Sequence, residues 1–158
     1  MLSKDMNYKF SISFLFVLLA LFLQVLLGDA SGAWINFTLA TLIASVFFVD
    51  FVELLVLVLF SVFILNWQPA LSWEMLFFAC LPFAVFSLCR SRTFPFRPWL
   101  VNLIAIFSGI IIVYFIFGIR LFTTQPYAVL WDMAGSLTFG AAVFSAMKYG
   151  RNKTWTPS

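Results

Sequence analysis

The chain has 158 residues, of which 64% are apolar and only 9% charged. Soluble domains carry about a quarter charged residues, so a water-soluble globule is excluded and lipid is the expected solvent. The net charge of +3 does not point to nucleic acid, because the basic residues sit between apolar runs and so act as topology signals.

The apolar runs are continuous and lack period-two alternation, which selects helices over a β-barrel. They predict an all-α polytopic membrane protein, with six short transmembrane helices in one bundle over 1–158. The spans are about 10–27, 33–49, 51–65, 73–89, 98–119 and 127–147, followed by a polar cytoplasmic tail over 148–158.

Lys4 and Lys9 precede the first run, and Gly28-Asp29-Ala30 loosely resembles a signal-peptidase site. A run of about 18 apolar residues suffices for a span, so an uncleaved first helix is expected. Gly28-Asp29-Ala30-Ser31-Gly32 is a turn cluster. The second and third runs are divided only by Asp50 and Glu53. They form either one helix of about 32 residues or two spans joined by a tight acidic turn.

Charge bias selects two spans. With the N-terminus inside, Arg90, Arg92 and Arg97, and then Lys148, Arg151 and Lys153, also fall inside. Of the nine basic residues, only Arg120 is left outside. Two spans also keep both carboxylates out of mid-bilayer. Trp34, Trp67, Trp73 and Trp131 then mark outer span ends, and Trp99 an inner one. The short second and third spans should thin the bilayer locally or sit inside the bundle.

Asn66-Trp67-Gln68-Pro69 ends the third run. Pro82 should kink the fourth helix. Cys80 and Cys89 share that helix, roughly 13 Å apart, too far for a disulfide. Thr123-Thr124-Gln125-Pro126 separates the last two spans.

The candidate polar site comprises Asp50, Glu53 and Asp132. For Asp50 and Glu53 a proton or cation site competes with a solvated hairpin turn, and the turn is favoured. Asp132 and Glu74 are assigned to first helical turns, where carboxylates favour the positive end of the helix dipole. In the last span Ala134, Thr138, Ala142 and Ala146 recur every four residues, with Ser136 and Gly140 on an adjacent strip. Such small residues let helices approach closely, either within the bundle or at a subunit contact. Arg90, Arg92 and Arg97 are candidate contacts for anionic lipid or an acidic partner, besides setting topology.

The polar residues inside spans are Gln24, Asn36, Thr38, Thr41, Ser45, Asn102 and Ser108. Histidine is absent, and there is no phosphate loop, metal-ligand spacing or nucleophile with a base. Neither an enzyme nor a bound cofactor is expected.

From Asp50 through Trp99 the layout resembles the bacterial rod shape-determining protein MreD family. The similar features are the short third span Glu53–Leu65, the break Asn66-Trp67-Gln68-Pro69, the Cys89-Arg90-Ser91-Arg92 end of the fourth span, and the Pro-containing loop that follows. Length, span number and basic tail also match. Asn66 stands where that family often carries Asp, and its glycines are missing. The resemblance implies a non-catalytic subunit of the peptidoglycan elongation machinery in the bacterial inner membrane. It would sit beside an MreC-like protein and, through the cytoskeletal filament, the wall synthases. The family's fold is similar to that of the substrate-binding subunits of energy-coupling-factor vitamin transporters. A small-solute transport component is therefore the alternative, with an accessory subunit of a larger membrane complex behind it.

Overall fold

A computed structural model describes residues 2–31, 36–65, 72–90, 97–117 and 119–153. Among these residues every regular element is a helix: α1 (Leu2–Ser31), α2 (Phe37–Ser45), α3 (Phe51–Leu65), α4 (Ser72–Arg90), α5 (Pro98–Phe117), α6 (Ile119–Thr124) and α7 (Pro126–Lys153). Among the described residues three segments are long and apolar enough to cross a membrane: Tyr8–Leu26, Pro98–Ile116 and Pro126–Tyr149. Phe51–Leu65 and Ala79–Arg90 are shorter apolar helices. On α7 the exposed rings of Trp131 and Tyr149 lie about 27 Å apart along the axis, close to the thickness of a hydrocarbon core.

The helix boundaries differ from the expected ones in four places. First, α1 runs through Gly28-Asp29-Ala30 to Ser31, where a turn was expected. One glycine inside a helix costs only about 1 kcal/mol, and the preceding apolar turns can carry the helix across it. Second, α2 has nine residues where a span over 33–49 was expected. At about 13–14 Å it is half the length that a crossing needs. Residues 46–49 turn instead, with the Phe48 and Val49 amides donating to the Ser45 carbonyl at 2.9 and 3.1 Å. Third, α6 is an added short helix, closed by the Thr123 and Thr124 hydroxyls on the Arg120 carbonyl. Fourth, α7 continues past Met147 to Lys153. Pro82 lies inside α4, which stays helical through it.

α2 is the centre of the molecule. All nine of its residues are buried, and α1, α3, α4, α5 and α7 all pack on it. Two glycines allow this enclosure. A Cβ on Gly140 of α7 would lie 3.3 Å from the Ala40 Cβ and collide with the Ile106 side chain. A Cβ on Gly109 of α5 would lie 3.0 Å from Leu81 and 3.3 Å from Ile43. The α2 hydroxyls need no outside partner at two positions: Thr41 donates to the Phe37 carbonyl and Ser45 to the Thr41 carbonyl.

Contacts between the helices fix which ends coincide. Ser13 near the start of α1 donates to the Met147 sulfur near the end of α7. Phe47 and Phe48 pack on Phe144, and Phe51 packs on Phe83 and Phe86. Lys9, Asp50, Glu53, Arg90 and Lys148 therefore share one end. Ile106 lies level with Gly140, so Arg97, more than two turns earlier at the head of α5, reaches the same end. At the opposite end Tyr114 packs on Phe122, and Arg120 is exposed.

Gly140→Leu should lower stability by about 1–3 kcal/mol through overpacking against Ala40 and Ile106. Ala142→Leu, on the exposed face of α7, should change it by less than about 0.5 kcal/mol. Thermal unfolding in detergent checks both, and equal effects would show that α7 is not packed in this phase.

Candidate functional site

Polar residues from four helices meet at the head of α2. Asn36 occupies the N-cap position without a side-chain capping bond, and the first intrahelical bond runs from the Ala40 amide to the Asn36 carbonyl. The amides ahead of that bond have no intrahelical acceptor. Water normally supplies one, but Asn36 and Thr38 are buried. Side chains from other helices take over. The Thr38 amide donates to Gln24 Oε1 of α1 at 3.1 Å. The Asn36 amide donates to Asp132 Oδ1 of α7 at 2.9 Å.

Asp132 gathers three further donors. Asn36 Nδ2 donates to Oδ2 at 3.2 Å, and Ser136 Oγ donates to Oδ1 at 3.0 Å. The Tyr114 hydroxyl of α5 donates to Oδ2. The carboxylate is fully buried, and no ion pair reaches it among the described residues. Four donors and the positive end of the α2 dipole stand in for a counter-cation.

This arrangement revises the expected role of Asp132. α7 begins at Pro126, so Asp132 lies well into its second turn. It is out of reach of its own helix's unpaired amides and instead caps a different helix. Each oxygen accepts two hydrogen bonds, and both hydroxyls point into the carboxylate. The cluster therefore acts as a lock between α2, α5 and α7.

Asp50 and Glu53 lie at the other end of the bundle. Glu53 Oε2 accepts from the Asp50 amide at 2.9 Å, and the Leu54 amide donates to the Asp50 carbonyl. This is the back-bonded half of a capping box at the head of α3. Asp50 is exposed and Glu53 half-buried. The structure thus keeps Asp132 apart from the acidic pair with which it was grouped.

On α7, Asp132, Ser136 and Gly140 form the buried strip. Ala134, Thr138, Ala142 and Ala146 are all exposed. Thr138 Oγ1 donates to the Ala134 and Gly135 carbonyls. Arg90 and Arg97 are exposed, and the Arg90 guanidinium lies 5.9 Å from the Phe86 ring centroid. Arg92, Trp34 and the break at Asn66-Trp67-Gln68-Pro69 lie outside the described residues, as do the side chains of Trp73 and Glu74. Cys80 is exposed, Cys89 half-buried, and both are free thiols. No group of three or more His, Cys, Asp or Glu side chains that could hold a metal occurs among the described residues.

From the sequence, Gln24 and Asn36 counted only as scattered polar residues, Ser136 as part of a small-residue strip, and Tyr114 was passed over. The available signal was depth. Each lies near the same end of its helix once successive helices alternate in direction.

No family model matches the chain, and no curated protein or solved structure matches it. Its class comes from the fold: an α-helical membrane protein organised around an inserted short helix.

Asp132→Ala should destabilise the protein by about 2–5 kcal/mol, because it strands buried donors on Asn36, Tyr114 and Ser136. Tyr114→Phe should cost about 1–3 kcal/mol alone and far less in the Asp132→Ala background, as a double-mutant cycle in detergent would show. Thr38 Oγ1 is buried without a hydrogen-bond partner. Thr38→Val should therefore be neutral or stabilising by up to about 1 kcal/mol, whereas Thr41→Val, which breaks a formed bond, should not stabilise.

Proposed function

We propose that the protein is a non-catalytic, multi-pass subunit that works through contacts with other membrane proteins. The observation that carries this reading is the phase of α7. Its Asp132–Gly140 strip is used up inside the molecule, while the small residues Ala134, Thr138, Ala142 and Ala146 face outward. A smooth, exposed, small-residue face suits close approach by a helix of another chain.

The organisation-level resemblance to the MreD family supplies the particular assignment: a subunit of the cell-shape and peptidoglycan elongation machinery of the bacterial inner membrane. Its partners would be an MreC-like protein and, through the cytoskeletal filament, the wall synthases. In this reading the chain makes six passes, with α2 as an incomplete one held inside the bundle. The end bearing Lys9, Arg90, Arg97 and Lys148 faces the cytoplasm by the positive-inside rule, which puts both termini there. The alternative of a solute-binding transport subunit needs an open centre near Asp132 and Trp131. α2 fills that centre, the Asp132 oxygens are occupied internally, and Trp131 is exposed on the outside.

Affinity purification from native bacterial membranes should recover an MreC-like protein with this chain. Ala142→Leu should reduce that recovery several-fold while leaving the thermal midpoint unchanged. A protein that migrates alone from native membranes, or an Ala142→Leu variant with full recovery, would remove the support for this function.

A further inference from the structure

The two ends of the bundle differ in charge in a way that neither the Asp132 lock nor the α7 face requires. Among residues with described side chains, one end carries exposed Lys9, Arg90, Arg97 and Lys148, and the other carries only Arg120. None of these cations forms an ion pair with a described residue. Among residues with described side chains, the carboxylates at the basic end are Asp50 and Glu53, and Glu53 is engaged by the Asp50 amide at the head of α3. Arg90 is held over the Phe86 ring at 5.9 Å. At that distance the contact is a loose cation–π one, which leaves the guanidinium N–H fork available for bidentate binding of a phosphate. Tyr8, Trp99 and Tyr149 are exposed at the same end, where amphipathic rings sit at headgroup depth.

We propose that this end, centred on Arg90 and Arg97 with Lys9 and Lys148, is a docking surface for anionic phospholipid headgroups. Topology rules account for cations on one side of a membrane, but not for selection among headgroups there. Selection requires accessible cations framed by interfacial rings, and here exposed Lys9, Arg97 and Lys148 lie next to Tyr8, Trp99 and Tyr149 along the chain. The site does not depend on the proposed protein partners.

The test uses the full chain in neutral detergent with mixed phosphatidylglycerol and phosphatidylcholine, and native mass spectrometry reads the lipid retained. The wild type should retain phosphatidylglycerol over phosphatidylcholine by about fivefold or more at low salt, and 0.5 M salt should bring the ratio toward unity. R90Q/R97Q should lose most of the preference, and R120Q, at the other end, should keep it. If R90Q/R97Q does not insert, the wild-type salt titration and R120Q decide the matter. Equal retention of the two lipids by the wild type would overturn the proposal. So would a loss in R120Q as large as that in R90Q/R97Q, or a preference unmoved by salt.

Discussion

A helix buried on all sides has no water at its ends, so its unpaired amides need acceptors from elsewhere in the chain. α2 is such a helix, and the Asp132–Asn36 contact is how the protein meets that need. Much else follows from it. Asp132 must face inward, which sets the rotation of α7. That rotation brings Ser136 and Gly140 inward as well, and the missing side chain at 140 leaves room for Ala40 and Ile106. Tyr114 then fixes α5 to the same carboxylate, and Gln24 fixes α1 to the next amide along α2.

The same rotation explains why α7 has two small-residue strips with different roles. Spacing alone ranks the Ala134–Ala146 strip first, because it is longer and more regular. The buried strip is the one in line with the charged residue. A carboxylate exposed to lipid is far costlier than an alanine there, so the position of Asp132 outweighs the regularity of the alanines.

The helical class and the break near Asp50 were legible in composition and charge. Apolar runs give the helices, and two carboxylates in mid-run argue for a turn even without glycine or proline. The length of α2 was not legible. Its flanking residues Trp34, Val46 and Val49 are as apolar as its core, so hydropathy cannot say where the helix stops. Nor was the lock, because its members come from segments as far apart as Asn36 and Asp132 and share only their depth. The first-turn assignment of Asp132 ignored its distance from the helix start: from Pro126, or from the expected 127, it already lies in the second turn.

The sequence distance across the lock has a consequence for biogenesis. Asn36 and Asp132 are 96 residues apart. At about 5–20 residues per second, the ribosome needs on the order of 5–20 s to make the second after the first. During that interval α2 lacks the acceptor for its leading amide and two of the walls that enclose it, α5 and α7. The nascent chain must therefore shelter α2 at the membrane surface, in the insertion machinery or against α1 until its last helix arrives. The final packing of the centre becomes one of the latest steps in making the protein.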